Sequence, residues 1–245
     1  MGIEVLAYRF KDGELQPIEH PHVPSYDSLL HIDRQKELLR RNTLQFVRGL
    51  PANDALLWGD RGTGKSSLVK SMLGLFAKEG LRLVQVYKMD IGHLSELYSL
   101  LRKREERFIL FFDDLSFEPH EDRALVLKSL MDGDVEERPQ NMLIYATSNR
   151  RHLMPLREES EKFPEESHIE RVSLVERFGL RLGFFAFGKE QFLSIVRHML
   201  NGRELQGIDL ERLALDWALH HGFSGRSASQ FVKDLMGRLR LGHEV

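Results

Sequence analysis

The spacing of apolar positions changes several times along the chain, and each change marks an element. Val5–Phe10 and Leu15–Ile18 flank the turn sequence Lys11-Asp12-Gly13-Glu14 and predict a short hairpin. From Tyr26 to Gly49 the period becomes helical, with Leu38, Leu39, Phe46 and Val47 as core candidates, until Pro51 ends it. Short apolar or β-branched runs at Asp54–Trp58, Leu81–Tyr87, Arg107–Phe112 and Asn141–Thr147 predict strands. Between them, 65–78, His93–Arg104 and 121–132 carry the helical spacing, for example Val69, Met72, Leu73 and Phe76 on one face. Arg107–Phe112 is almost continuously apolar, as a strand buried on both faces must be. Alternation of this kind specifies a parallel sheet with right-handed helical crossovers.

After about residue 188 the strands stop. Three amphipathic stretches follow: Phe192/Ile195/Val196/Met199, Leu210/Leu213/Ala214/Trp217 and Ala228/Phe231/Val232/Leu235. The expected organisation is a hairpin and loop over 1–25, an α/β domain over 26–188 and a helical domain over 189–245. Internal repeats are not visible. Segment 157–168 carries Arg157, Glu158, Glu159, Glu161, Lys162, Glu165 and Glu166 around Pro164, and reads either as a solvated loop or as a substrate or partner loop. His20 and His22 lack a third ligand at a suggestive spacing, which favours a solvated loop over a metal site.

Composition narrows the class. At 245 residues, with 42% hydrophobic and 29% charged positions, the chain is long enough for one large domain or two smaller ones around a real core. The absence of cysteine excludes disulfides and thiolate metal sites. The start, Met1-Gly2-Ile3-Glu4-Val5, lacks the basic and apolar regions of a signal peptide. The longest apolar runs, such as Phe108–Phe112, are too short to span a bilayer. A cytoplasmic protein without a membrane partner is expected. A net charge of −2 gives no global attraction to nucleic acid. Arg34, Lys36, Arg40, Arg41 and Arg48 make one helix locally basic, which a solvated face explains equally well.

The candidate chemistry begins at Gly59-Asp60-Arg61-Gly62-Thr63-Gly64-Lys65-Ser66, which fits G-x-x-x-x-G-K-[ST] and is followed by Ser67. A strand leads in and an amphipathic helix follows, the context such a phosphate-binding loop needs. Glycines let successive backbone N–H groups turn inward around an anion, and the helix N-terminus adds partial positive charge. Lys65 supplies a point charge for the β- and γ-phosphates, and Ser66 a hydroxyl ligand for Mg²⁺. The strand Phe108–Phe112 ends in Asp113-Asp114, at the sheet edge where ligands of α/β folds bind. Asp113 is the expected Mg²⁺ ligand and Asp114 the expected general base for water; turn or cap residues are the plainer alternative. Asn149, after the strand ending in Thr147, is placed to hold the water or the γ-phosphate, although Ser148-Asn149 is also a good turn pair.

Over roughly residues 26–240 this ordered set resembles the AAA+ ATPases. Gly59–Ser66, Asp113-Asp114, Asn149, Glu176-Arg177-Phe178-Gly179 and Ser224-Gly225-Arg226 look like Walker A, Walker B, sensor 1, the arginine-finger box and sensor 2. The runs Phe108–Glu118 and Thr147–Leu153 look closest to a mainly bacterial group of predicted ATPases of unknown physiological role. The resemblance implies a P-loop NTPase fold: a parallel five-stranded sheet with flanking helices, a small C-terminal helical lid and the N-terminal hairpin. It implies that the Asn149 strand lies between the P-loop strand and the Asp113 strand. It implies ATP and Mg²⁺ as ligands, and a homo-oligomer, ring or hexamer-like, with Arg177 as a finger inserted into a neighbour's site. Such a finger is worth about 10³–10⁵ in rate in GTPases. Arg226 is implied as sensor 2, and Leu30-His31-Ile32-Asp33, with His31 and Ile32 at its centre, as the adenine-side segment.

Two positions depart from the family pattern. Asp114 is one methylene shorter than the usual Glu, which predicts slow hydrolysis. His31 replaces a common glycine. The expected function is an ATPase that remodels a macromolecular partner, protein or nucleic acid. A nucleotide-gated switch or scaffold with little turnover is the alternative. A small-molecule kinase using Arg150 and Arg151 is disfavoured by the helical domain and by the position of Arg226.

Overall fold

The computed structural model describes residues 5–118, 121–133, 137–150, 153, 174–201, 203, 205 and 207–241. The acidic segment 157–168 and Arg151 lie outside the described residues. The chain divides into two compact units, one of Met1–Gly59 with Lys65–Gly183, the other of Asp60–Gly64 with Phe184–Val245.

The strands are β1 (Ala7–Lys11), β2 (Glu14–Pro17), β3 (Ala55–Gly59), β4 (Leu81–Val86), β5 (Arg107–Phe112), β6 (Met142–Ser148) and β7 (Leu180–Phe184). They form a seven-stranded sheet in the order β2-β1-β4-β5-β6-β3-β7. Five strands were implied, four of them read from the sequence; β7 makes the fifth at one edge, and the hairpin adds two more at the other. Asp12 at φ 51 and Gly13 at φ 80 make the tight turn that the sequence signalled. The hairpin is not a separate appendage, because β1 pairs in parallel with β4, Tyr8 opposite Val84 and Phe10 opposite Val86. Phe10 is accordingly fully buried. Strand β7 lies outside the predicted elements because Leu180-Arg181-Leu182-Gly183-Phe184 is short and interrupted by arginine and glycine.

The central strands β4, β5, β6 and β3 all pair in parallel, with β6 between β5 and β3 as the resemblance implied. Alternate residues of β5 point to opposite faces. Phe108, Leu110 and Phe112 join a cluster with Leu94, Leu97 and Leu101 of α3 (Leu94–Leu101) and Leu127 of α4 (Asp122–Asp132). Ile109 and Phe111 are equally buried on the other face. On that face α2 (Lys65–Phe76) packs against β4 and β6, and α1 (Asp33–Val47) against α2.

Helix α1 covers only Asp33–Val47, later than the predicted start at Tyr26. Ser25 and Ser28 close a turn, and His31 at φ 61 takes a left-handed conformation that a right-handed helix cannot contain. Helix α3 is also shorter than predicted, preceded by a 3₁₀ stretch over Lys88–His93. A buried polar network fixes α1 to the sheet. Asn42 bonds the Asn53 backbone through both its amide groups, while Tyr145 Oη contacts Asn42 Nδ2 at 3.0 Å and Thr43 Oγ1 at 2.9 Å. Complete burial pushes the Tyr145 hydroxyl up to about 12.

In the second unit, α5 (Lys189–Met199), α6 (Leu210–His221) and α7 (Gly225–Arg240) pack on one another through Phe192, Val196, Ala214, Ala218, Phe231 and Leu235. Side chains cap two of them: Asp209 accepts from Arg212 N and Ser224 from Ser227 N, each at 3.1 Å.

Candidate functional site

Parallel pairing brings the carboxyl ends of β5 and β6 side by side, Phe112 opposite Ala146, so the residues that follow meet at one edge. There Asp113 Oδ1 accepts from Ser66 Oγ at 2.5 Å and from Thr147 Oγ1 at 2.8 Å. Asp114 N donates to Thr147 Oγ1 at 2.9 Å, and Leu115 N to Thr147 O at 2.7 Å. Asn149 Nδ2 donates to Asp114 Oδ1 at 2.6 Å, and Lys65 Nζ donates to Gly59 O at 2.8 Å and to Asn149 Oδ1 at 3.4 Å. Lys65, Ser66, Asp113, Asp114 and Asn149, picked from three separate stretches of sequence, thus form one connected network.

Two members of this network were not singled out from sequence. Thr147 is buried and ties both aspartates to β6; its only signal was its place just before Ser148-Asn149. Lys70 lies one helical turn beyond Ser66, on the same face, with Nζ 3.9 Å from Asp113 Oδ2 and 5.8 Å from the Phe111 ring centre. Asp114 adopts φ 56, a left-handed conformation uncommon outside glycine. The hard oxygen donors Ser66 Oγ and Asp113 Oδ1 converge, which suits Mg²⁺, an ion that takes one or two protein oxygens and completes its shell with phosphate and water. Among the described residues no group of three or more His, Asp or Glu gathers as an all-protein metal cage.

The loop residues Asp60–Gly64 are held within the second unit. Asp60 N donates to Phe184 O at 2.9 Å and Asp60 Oδ2 accepts from Ala186 N at 2.6 Å, while Thr63 Oγ1 donates to Asp60 O at 2.7 Å. Gly62 O accepts from the first amides of α7, Gly225 N at 2.9 Å and Arg226 N at 3.4 Å. Gly62 has φ 72, and a Cβ there would sit 2.8 Å from Ser224 Oγ, so both conformation and space demand glycine. Arg61 is exposed and Ser67 half-buried.

The remaining predicted residues stand elsewhere. His31 is exposed and Ile32 buried at the start of α1. The left-handed φ of His31 is a physical reason why glycine suits that position. Arg177 forms a two-pronged ion pair with Asp132, at the end of α4, with Nε–Oδ1 at 2.7 Å and a second nitrogen 2.8 Å from Oδ2. The pair holds the Asp132 carboxyl below its usual range.

A family model described as "protein of unknown function (DUF815)" matches residues 3–239. The chain belongs to the DUF815 family. No curated protein matches it in sequence. Its fold is similar to that of Thermotoga maritima RuvB, a Holliday junction branch migration motor, with TM-score 0.55 and 17% identity over 86% of this chain and 62% of RuvB. It is also similar to Aeropyrum pernix Orc1, solved in complex with DNA, with TM-score 0.61 and 15% identity over 91% of this chain and 66% of Orc1. This DUF815 chain therefore spans just under two thirds of each. At such identities the likeness shows the fold alone, an α/β fold of the AAA+ type with a mainly parallel sheet, flanking helices and C-terminal helices. Among its described residues, no helix is long and apolar enough to cross a membrane.

Proposed function

We propose that this DUF815 chain binds Mg-ATP and hydrolyses it to ADP and phosphate, slowly in isolation. The observation that carries the reading is the connected network of Lys65, Ser66, Asp113, Asp114, Thr147 and Asn149 at the carboxyl edge of a parallel sheet. Lys65 and the amides of the glycine turn bind the phosphates. Ser66 and Asp113 would hold Mg²⁺, which would supply charge neutralisation to the phosphates. Asp114 positions the attacking water and draws on its proton. A bond forms from the water oxygen to the γ-phosphorus as the bond to the β,γ-bridging oxygen breaks, and that proton ends on the released phosphate. Asn149 fixes one oxygen of Asp114 and orients the other toward water. Arg226 contributes a further cation toward the phosphates, and His31 and Ile32 flank the base. Arg177 completes the site of a neighbouring copy in a homo-oligomer, and turnover there drives the remodelling of a macromolecule.

A nucleotide-gated switch is the second reading. It is favoured by the short acid at 114, whose Oδ1 is already engaged by Asn149 and whose backbone is left-handed.

Calorimetric titration tests the core of the proposal. Mg-ATP should bind the wild-type chain at least about tenfold more tightly than Lys65→Ala, the loss expected for one charge-assisted phosphate contact. Asp114→Asn should bind as wild type while releasing no phosphate. Equal binding by wild type and Lys65→Ala would sink the reading, and unchanged hydrolysis by Asp114→Asn would remove Asp114 from its role.

A further inference from the structure

The helical unit carries a groove unrelated to the phosphate chemistry. It encloses about 380 Å³ between the end of α5 and one face of α7, within the range of ligand-binding cavities. Met199, Leu200, Val232 and Met236 supply apolar walls, and Arg203, Lys233 and Arg240 supply cations. Among the described residues no carboxylate lines it. None of these three cations has an ion-pair partner among the described residues, whereas Arg238, on the same helix, pairs with Asp234 at 3.1 Å. An ordinary solvated helix face intersperses the two signs as Arg238 and Asp234 do. The described lining of this groove has one sign only, around an apolar floor.

We propose that the groove is a docking site for an acidic peptide segment that carries an apolar anchor side chain between carboxylates. The apolar walls take the anchor. Two of them are methionines, unbranched and polarisable, which adapt to differing side chains. Arg203, Lys233 and Arg240 meet the flanking carboxylates. Along α7 the lining runs from Val232 to Arg240, about 12 Å at 1.5 Å per residue, enough for two turns of a bound helix. A nucleic-acid strand is the poorer fit. Single strands are held by cations together with aromatic stacking platforms, and among the described residues no aromatic side chain lines the groove. A bare anion would leave the apolar walls unused.

Gly237 offers a clean test. It lies in the groove, and a Cβ there meets nothing within 4 Å, so larger side chains enter open space and displace no packing. The full chain is panned against a phage-displayed library of 12-residue peptides, and enriched sequences are synthesised and measured by fluorescence anisotropy. Enriched peptides are expected to carry at least two carboxylates around an apolar side chain. They should bind at least tenfold more weakly to Lys233→Glu/Arg240→Glu and to Gly237→Leu, while Gly237→Ala, a smaller intrusion with higher helix propensity, keeps most of the affinity. Thermal melts establish that each variant is folded, and higher salt should weaken binding. The proposal is overturned by an absence of enrichment, by enriched peptides without acidic bias, or by folded variants that bind them as wild type does. It is equally overturned if a 20-nucleotide single-stranded DNA binds more tightly than the peptides and loses that affinity in Lys233→Glu/Arg240→Glu.

Discussion

Arg177 and Asp132 are joined by two parallel hydrogen bonds, 2.7 and 2.8 Å long, within one chain. A guanidinium held this way has a defined direction, which a finger reaching another copy needs, and it also has a partner to leave before it does so. Arg177→Ala should therefore keep nucleotide affinity within about twofold and lose turnover by about 10³, the lower end of the arginine-finger effect. Mixing it with Asp114→Asn should restore part of the activity, because each variant contributes the half the other lacks. Asp132→Asn, which weakens the tether, should change turnover less than Arg177→Ala does. Phosphate release at matched protein concentrations measures all three, and a mixture no more active than its components would argue against shared sites.

The same pair makes a pH prediction. Hydrogen bonds from Arg177, and then its charge, hold the folded Asp132 carboxyl below its ordinary value, about 3.9 in an unfolded chain. The stabilisation is thus fully present above about pH 3.9 and is lost as pH falls through the lower, folded value. Both groups are partly exposed, 28% and 41%, so water and salt screen the pair and its contribution to stability is small. The carboxyl carbon of Asp132, followed by NMR, should titrate with a midpoint below about 3.9 and return to about that value in Arg177→Ala. An unmoved midpoint would show that another group sets it.

Gly62 touches the cap of α7, and that contact predicts a non-additive pair. Gly62→Ala places a methyl 2.8 Å from Ser224 Oγ at φ 72 and should cost about 1–3 kcal/mol. Ser224→Gly alone should cost only a few tenths of a kcal/mol, since glycine is a tolerable N-cap. Together the two should cost less than Gly62→Ala alone, because the contacts with the Ser224 side chain disappear and what stays is the backbone strain, about 1–2 kcal/mol, with a 3.1 Å approach to Arg226 Cβ. Urea denaturation of the three variants closes the cycle. Strict additivity would mean that the side chain of Ser224 is not what excludes a methyl group at 62.

Most of the sheet was legible in the sequence because its strands are buried on both faces. Arg107–Phe112 reads as an apolar run and folds as β5 with those bounds. The motif residues were legible because a phosphate-binding pattern restricts residue type and spacing together, and Lys65, Ser66, Asp113 and Asn149 do converge. Other features depend on long-range pairing and leave little local trace. The parallel partner of β1 lies more than seventy positions away. Thr147 looks like any β-branched strand residue until the aspartates are seen around it. Helix α1 starts later than its sequence predicts because Tyr26–Ile32 has a composition compatible with helix, while the left-handed His31 that stops it has no sequence rule as strong as glycine's.

Lys70 stands where a divalent ion would compete for Asp113. At 3.9 Å and partial exposure, the attraction between Lys70 Nζ and the carboxylate lies between about 1 kcal/mol in water and about 4 kcal/mol near a protein surface, before screening and desolvation. Lys70→Met keeps the length of the stem and removes the charge. Manganese binding, followed by electron paramagnetic resonance with a non-hydrolysable ATP analogue, should tighten by about two- to tenfold, a change of about 1.4 kcal/mol or less. Asp113→Asn should weaken it in the same assay. A Lys70→Met variant with unchanged manganese affinity would mean that the ammonium does not shield the site.

At the opposite end of β3 from the glycine turn, Asp54 and Arg138 form a buried pair, 2.5 and 2.6 Å between their atoms, with side chains 7% and 19% exposed. Asp54 Oδ1 also accepts from Ile144 N at 2.6 Å, so this carboxylate closes the start of β3 onto β6. Removing only the cation strands a buried negative charge. Arg138→Met should therefore destabilise the chain by about 3–5 kcal/mol. Asp54→Asn/Arg138→Met keeps an acceptor for Ile144 N and has no stranded charge, so it should recover most of that loss. Both variants should bind Mg-ATP as wild type does wherever they are folded, because the pair lies at the other strand end from Lys65 and Asp113. Urea denaturation supplies the stability and calorimetry the affinity. A single variant no less stable than the double one would show that water reaches Asp54 and that the pair is a surface interaction in solution.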